Sequence, residues 1–249
     1  MPEQFKSICD KIMHMEKKEN RKKVNRIKGL FDFKWWFYDF VKVTGFIPIS
    51  LILRSKFIYK NKESKKEFKK DPIMIAANHR GFLDPFLMVS TFYFKRVGII
   101  ATKDLFNTKF KKALFTGFRA IYIDKDNVSI KTFKAVNETI KDGHSVGIFP
   151  EGTIVHDKDQ EISEFKAGVI MMAMMAKTII YPIYFAKRDH WWQRQRIYVG
   201  ERFDILSYTD GKKPSGEKMA EIAEILRQKV IELSNMHKET YGKRIRKKD

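Results

Sequence analysis

From residue 71 onward, short apolar runs alternate with segments in which apolar residues recur at helical spacing. The apolar runs are IMIAAN, VGIIA, AIYI, SVGIF, IIYPIYF and IYVGERF. Strands that alternate with helices in this way favour parallel pairing through right-handed crossover connections. The pattern therefore predicts an α/β fold, with a mixed, largely parallel sheet flanked by helices.

The length of 249 residues suits one α/β domain with appendages. We place this domain at residues 61–240. Pro85 directly follows Asp84, which is the arrangement of a helix cap and a proline at the first helical position. The segment FKAGVIMMAMMAK is apolar nearly all round, which predicts a buried helix. Residues 241–249 form a basic tail.

Residues 1–60 differ in character from the predicted domain. A basic amphipathic stretch is followed by a segment rich in aromatic residues around Trp35 and Trp36. Such residues favour the membrane interface, so we predict helices that dock on one leaflet; the alternative is two helices packed on the domain. The longest uncharged run, Val43 to Leu53, is shorter than the ~20 residues of a spanning helix, so none is expected.

The formal net charge of +20 implies an anionic partner, either acidic phospholipid or nucleic acid. A single cysteine, Cys9, excludes an intramolecular disulfide and a thiolate zinc cluster. The first thirty residues lack the apolar core of a signal peptide. We therefore expect a protein on the cytoplasmic side of the cell membrane, peripheral or monotopic.

The peptide NHRGFLDP follows a predicted buried strand and opens a helix. If the loop folds back, the carboxylate of Asp84 can accept the Nδ1 proton of His79 while Nε2 faces solvent. Such a pair can remove a proton from an alcohol as it attacks a carbonyl, without a serine nucleophile. On its own the spacing is more often a helix cap beside a loop histidine.

Two further peptides follow predicted strands. FPEGT comes directly after SVGIF; its glycine permits close approach of the backbone to a ligand, and Glu151 and Thr153 can bind hydroxyl or phosphate oxygens. GFRAIYIDK ends in charged residues, and a cation there could hold a phosphate. FPEGT alone is an ordinary strand-to-loop turn.

Taken together and in order, NHRGFLD, GFRAIYIDK, FPEGT and IIYPIY resemble the conserved blocks of the glycerolipid acyltransferase family, which includes 1-acylglycerol-3-phosphate acyltransferase. The resemblance covers about residues 70–205. It implies that His79 deprotonates an acceptor hydroxyl, that Asp84 orients His79, and that the hydroxyl attacks an acyl thioester of coenzyme A or acyl carrier protein. It also implies that Glu151 and Gly152 help to bind glycerol phosphate and that Pro182 shapes the wall of the acyl site or of the active site.

The sequence departs from the family pattern at three positions. Gly81 stands where serine is common, Lys125 where arginine is usual, and Ile154 where the third block continues with arginine. Lys125 keeps a point charge but loses the bidentate fork of arginine. The expected substrate-binding residues are Asn78, Lys103, Arg119, Lys125, Phe149, Pro150, Glu151, Gly152, Thr153 and Lys166. Ile154 leaves another lysolipid or a glycolipid open as the acceptor.

Two other classes compete with this reading. A nucleic-acid-binding protein would explain the basic composition but not the motif blocks, and no zinc spacing or helix-turn-helix signature is present. A non-catalytic lipid-binding relative is opposed by the retention of His79 and Asp84. The histidines lack metal-ligand spacing, so we expect no metal and no cofactor. The expected partners are an anionic membrane, the acyl thioester and a lysophospholipid, without nucleic acid.

Overall fold

The computed structural model describes residues 35–69, 72–102, 107–124, 129–154, 162–188, 190, 192–209 and 214–245. Most of the predicted N-terminal segment and the end of the basic tail therefore lie outside the described residues, as do Lys103 and Lys125.

Seven strands form one sheet in the order β1-β7-β6-β2-β5-β3-β4. The strands are β1 Lys56–Tyr59, β2 Met74–Ala77, β3 Val97–Thr102, β4 Ile121–Ile123, β5 Ser145–Ile148, β6 Ile180–Phe185 and β7 Arg196–Val199. All neighbours are parallel except β6 and β7. The mixed, largely parallel sheet predicted from the sequence is confirmed.

Helices cover both faces of the sheet. They are α1 Trp36–Leu53, α2 Lys62–Glu67, α3 Asp84–Thr91, α4 Lys109–Gly117, α5 Ile130–Lys141, α6 Gly168–Met175 and α7 Gly216–Ile245. A short 3-10 helix, Ile205–Tyr208, follows β7. Side-chain oxygens of Asn61, Thr108 and Ser129 accept backbone N–H bonds at the starts of α2, α4 and α5, which satisfies groups that the helices cannot pair internally.

The alternation of side chains along β2 separates two apolar layers. Met74 and Ala76 pack with α5, α6 and α7, whereas Ile75 and Ala77 pack with α1 and α3. Gly147 in β5 permits the second layer to close, because an added Cβ would lie 2.3 Å from the Sδ of Met88 in α3. This close approach lets the middle of α3 pack directly on β5.

Helix α1 presents two different faces. Trp35, just before it, and Tyr38, Phe46 and Leu53 within it are buried against the domain. The opposite face is exposed and apolar, and consists of Trp36, Phe40, Val43, Ile49, Leu51 and Ile52. The middle turn, Lys42–Phe46, is a π-helix.

Helix α1 differs from the sequence prediction of no membrane-spanning helix. By length and composition alone it is long and apolar enough to cross a membrane, with a mean hydropathy of 1.4 over 18 residues, of which 22% are buried. The prediction stopped the apolar run at Lys42, but the helix continues through that residue. The core helix of a soluble protein can have the same length and composition.

Two predicted boundaries also differ. Residues 56–59 were assigned to the docking segment, but they form β1 and pair in register with β7, so the α/β domain includes them. The basic tail was expected to begin at residue 241, but α7 continues to Ile245. The start of that tail is therefore helical.

Candidate active site

The site lies where two neighbouring strands end. Strands β2 and β5 are parallel, with Ala76 paired to Ile148, so their carboxyl ends meet at the same edge of the sheet. The NHRGFLDP block follows β2 and the FPEGT block follows β5. This edge is where open α/β sheets bind their ligands.

His79 and Asp84 form a hydrogen-bonded pair. Nδ1 of His79 lies 3.0 Å from Oδ2 of Asp84, and each side chain is 16% exposed. The same carboxylate oxygen accepts the backbone N–H groups of Arg80 at 2.5 Å and Gly81 at 2.8 Å. A carboxylate oxygen only accepts, so it favours the imidazole tautomer with the proton on Nδ1 and leaves Nε2 as a base.

Asp84 was expected to cap the helix that follows it. The structure shows that Asp84 is the first residue of α3 and that its carboxylate turns back toward the preceding loop, where it accepts two backbone N–H bonds. The His79 ring and the backbone of its loop are thereby held by one oxygen of Asp84. The predicted fold-back of the loop is observed.

Glu151 fixes the histidine loop from the neighbouring strand. Its Oε1 accepts the backbone N–H of His79 at 2.8 Å, and its Oε2 accepts the backbone N–H and the hydroxyl of Ser163 at 3.1 and 2.8 Å. The side chain is 3% exposed, and burial raises its pKa above the ordinary value, although these hydrogen bonds act to lower it. Both oxygens are therefore engaged within the protein. Ser163 carried no signal in the sequence.

Phe149 supports the histidine ring by stacking. The two ring centroids lie 4.3 Å apart with an interplanar angle of 23°. Stacking on one side and the Asp84 hydrogen bond at Nδ1 leave the imidazole one orientation. Nδ1 is thereby engaged with Asp84, and His79 also lines a cavity.

Asn78 ties the end of β2 to the end of β6. Its Oδ1 accepts the N–H of Phe185 at 2.8 Å, and its Nδ2 donates to the carbonyl of the same residue at 3.3 Å. The side chain is buried, so these bonds replace the ladder where the two strands stop pairing. Asn78 thus holds the ends of β2 and β6 together beside the site.

A cavity of about 670 Å³ opens beside His79, and we call it the catalytic cavity. Its walls are mostly apolar and include Phe82, Phe86, Ile100, Phe115, Ile148, Val169 and Met172. Gly152, Thr153 and Lys166 lie on its wall as well. An apolar cavity of this size with a few polar groups at one end is typical of a small-molecule site.

Lys166 lies against the glycine of the FPEGT block. Gly152 has a φ of +71°, and a Cβ added there would lie 3.1 Å from Cε and 3.5 Å from Nζ of Lys166. The backbone N–H of Lys166 also donates to the carbonyl of Pro150 at 3.0 Å. The predicted residues Gly152 and Lys166 are therefore brought together at the cavity wall.

Two predicted residues lie elsewhere. The Arg119 guanidinium carbon lies 5.4 Å from the ring centroid of Trp35, and Arg119 is not among the described residues that line the catalytic cavity or the two further cavities discussed below. Its φ of +57° closes the turn after α4. Pro182 lies inside β6, paired with Ala76 in the sheet, and its carbonyl accepts the N–H of Gly200 at 2.9 Å. It does not line the catalytic cavity.

Two further expectations concern charge and metal. Ile154, which stands in place of an arginine, lines the catalytic cavity with an apolar side chain. Within the described residues, no group of three or more histidine, cysteine, aspartate and glutamate side chains could hold a metal ion.

Comparison with known proteins agrees with this geometry. The sequence model of the Acyltransferase family matches residues 56–186. The 1-acyl-sn-glycerol-3-phosphate acyltransferase of Bacillus subtilis is 26% identical over 167 residues, which cover 65% of this chain and 81% of that protein. The protein of the same description from Borreliella burgdorferi is 26% identical over 206 residues, 78% of each chain.

A solved structure shows the same fold. The crystal structure of the 1-acyl-sn-glycerophosphate (LPA) acyltransferase PlsC from Thermotoga maritima superposes with a TM-score of 0.51 at 16% identity. The match covers 86% of this chain and 98% of that one.

Proposed function

This chain belongs to the acyltransferase family, and on that premise we propose that it transfers a fatty acyl group from a thioester to the sn-2 hydroxyl of 1-acylglycerol-3-phosphate, giving phosphatidate. The observation that carries the proposal is the hydrogen bond between His79 and Asp84 at the mouth of an apolar cavity. The acceptor is the one named for the two bacterial relatives.

In the proposed reaction, Nε2 of His79 takes the proton of the acceptor hydroxyl while its oxygen attacks the thioester carbonyl carbon. Asp84 stabilises the imidazolium that forms, as a carboxylate does beside a catalytic histidine. The tetrahedral intermediate then expels the thiolate as the carbon–sulfur bond breaks. His79 returns its proton to the sulfur, so the products are the ester and a free thiol.

The walls of the catalytic cavity suit the two ends of the substrates. Its apolar part can bury a fatty acyl chain, and each buried methylene contributes about 0.8 kcal/mol to the free energy of binding. Lys166 and Thr153 supply a cation and a hydroxyl for the acceptor phosphate. Lys103 and Lys125, which lie outside the described residues, are proposed to add charge to this end.

One observation favours a second acceptor. Ile154 presents an apolar side chain where the family usually has arginine. A lysolipid or glycolipid with a less charged headgroup would therefore lose less binding free energy beside Ile154 than 1-acylglycerol-3-phosphate would. The donor is proposed to be an acyl thioester of coenzyme A or acyl carrier protein.

We further propose that the protein docks on an anionic membrane from the cytoplasmic side. The exposed apolar face of α1 and the net charge of +20 support this, since apolar side chains enter the interface and basic residues attract anionic lipid. Phe82 and Leu83, between His79 and Asp84, are 62% and 69% exposed and extend this apolar surface to the site.

The first experiment measures acyl transfer from a labelled long-chain thioester to 1-acylglycerol-3-phosphate in mixed vesicles. Wild type is compared with His79→Ala and Asp84→Asn, each checked for folding by its thermal transition. We expect phosphatidate from wild type and a loss of about 10²–10⁴ in rate for either variant. An undiminished His79→Ala would end the mechanism. Product only with an uncharged lysolipid would establish the second acceptor instead.

A further inference from the structure

A second cavity, of about 650 Å³, lies behind the catalytic pair. Asp84 lines it and His79 does not, whereas the reverse holds for the catalytic cavity. Phe86 borders both cavities. Because His79 lines only the catalytic cavity, we place the proposed acyl transfer there and treat the second cavity as a separate site.

The walls of the second cavity are divided by chemistry. Ile49 and Leu53 of α1 and Leu87 of α3 form an apolar side. The lining also includes the cationic or titratable side chains of Arg80, Lys187, Arg188 and His190. Among the lining residues that the structure describes, the one carboxylate is Asp84, whose Oδ2 accepts three hydrogen bonds. Cationic side chains therefore outnumber carboxylates among these described residues, beside an apolar wall.

The cationic side is held at a fixed position against α1. The backbone N–H of Gln195 donates to the carbonyl of Leu53 at 3.0 Å, and Arg54 donates to the carbonyl of Trp192 at 2.5 Å. The buried Gln195 side chain also donates to the carbonyl of Ala186 at 2.9 Å. These bonds join the end of α1 to the segment after β6, so the two walls keep their spacing.

The second cavity adjoins the exposed apolar surface of the protein. Leu51 and Ile52, next to the lining residues of α1, are 72% and 67% exposed, and Leu83 on the cavity wall is 69% exposed. A ligand that enters here comes from the side on which apolar surface is displayed. A water-soluble anion has no use for that surface, but a lipid does.

We propose that the second cavity binds an anionic phospholipid of the membrane at a site separate from catalysis. Lys187 and Arg188 hold the phosphate, and the apolar wall of α1 and α3 receives the first carbons of the chains. Charge-assisted bonds to phosphate and burial of methylenes act together, which neither a neutral lipid nor a free phosphate provides. The lipid would join α1 to the loop that carries Arg80 and Asp84.

The test counts lipid retained by the purified full chain. Protein in mixed micelles of phosphatidylglycerol and phosphatidylcholine is analysed by native mass spectrometry for wild type, Lys187→Gln/Arg188→Gln and a control, Lys131→Gln/Lys134→Gln. The control removes the same charge from exposed positions on α5, across the sheet. We expect one retained phosphatidylglycerol in wild type and the control, and at least about tenfold weaker retention in the cavity variant.

Equal retention in all three proteins would mean that lipid binding does not depend on Lys187 and Arg188. An equal loss in both double variants would mean that diffuse charge attraction holds the lipid. Either result would overturn the proposed site. A further arm separates a lipid from a free phosphate. Ile49→Gln should weaken retention of phosphatidylglycerol without changing binding of glycerol 3-phosphate; tighter binding of free glycerol 3-phosphate than of the lipid would refute the lipid. Retention does not require turnover, so His79→Ala should retain lipid as wild type does, even if the proposed acyl transfer fails.

Discussion

The backbone N–H of His79 donates to the carboxylate of Glu151 at 2.8 Å, across the gap between the loops that follow β2 and β5. The loop that carries His79 is therefore positioned by a buried acid in the loop after β5. The other oxygen of Glu151 is held by Ser163, so the acid itself has a fixed orientation.

Glu151→Gln should reduce both stability and turnover. The amide can accept the His79 N–H only by turning its NH₂ toward Ser163, which leaves the backbone N–H of Ser163 without an acceptor. We expect a loss of about 1–3 kcal/mol in the free energy of unfolding, measured by denaturant titration, and a fall in kcat. Ser163→Ala, which removes only the hydroxyl, should cost about 1 kcal/mol or less. A Gln variant as stable and active as wild type would remove the positioning role.

Glu151 should also make stability depend on pH in an unusual direction. Burial raises its folded-state pKa above 4.5, so the folded protein holds this proton at pH values where the unfolded chain has lost it. The contribution of Glu151 to stability is therefore full below pH 4.5 and declines as pH rises through the folded pKa. The difference in unfolding free energy between wild type and Glu151→Gln, measured from pH 4 to 8, should shrink with rising pH. A difference that grows would contradict the raised pKa.

Gly152→Ala tests the contact with Lys166. The positive φ should cost about 1–2 kcal/mol of stability, and the new methyl must displace the lysine side chain. If Lys166 binds the acceptor phosphate, the KM for that acceptor should rise more than kcat falls. Gly216→Ala, at the start of α7, is the matched control, since a Cβ there meets nothing within 4 Å. An unchanged KM in Gly152→Ala would remove Lys166 from the phosphate site.

Ala101→Leu should shift the chain-length preference of the donor. Ala101 is buried and lines both the catalytic cavity and a small apolar pocket of about 30 Å³ next to it, so added bulk shortens the space for an acyl chain. Losing room for two methylenes should lower kcat/KM for long chains about tenfold relative to shorter ones. Ala113→Leu, at an exposed position on α4, should leave the preference unchanged. Equal preference in both variants would place the acyl chain elsewhere.

Leu51→Gln/Ile52→Gln should weaken membrane binding without unfolding the protein. Both side chains are exposed, so they should contribute to membrane binding and not to folding. Each should contribute up to about 1.5–3 kcal/mol to the free energy of binding. Vesicle co-sedimentation with anionic lipid should show at least a tenfold loss. Leu206→Gln, on the 3-10 helix and 67% exposed, is the control and should bind as wild type. If all variants bind equally, docking does not use α1.

The sheet and the hydrogen bond between His79 and Asp84 could be predicted because both depend on residues that are close in the sequence. Strands such as β2 and β5 are continuous apolar runs, which is what burial on both faces of a parallel sheet requires. His79 and Asp84 are close in sequence, so one loop conformation brings them together. The helix start at Asp84 and Pro85 followed from residue chemistry alone.

Other features depend on contacts distant in the chain. Strand β1 lies in a run rich in lysine and becomes a strand only because β7, far along the sequence, pairs with it. Ser163 has no motif, yet it completes the hydrogen bonding of Glu151. Arg119 matched a family block by position, but the turn after α4 directs it to Trp35. The spacing of residues along the sequence could not predict these contacts.

Phe82 and Leu83 lie in the same short loop that His79 begins and Asp84 ends, and both are exposed. A change in this loop that tunes affinity for lipid is therefore also a change in the segment that aligns the base. Substitutions here should be pleiotropic, whereas those on α1 can vary one trait at a time. Anyone redesigning the surface for solubility would begin with the helix and leave the loop intact.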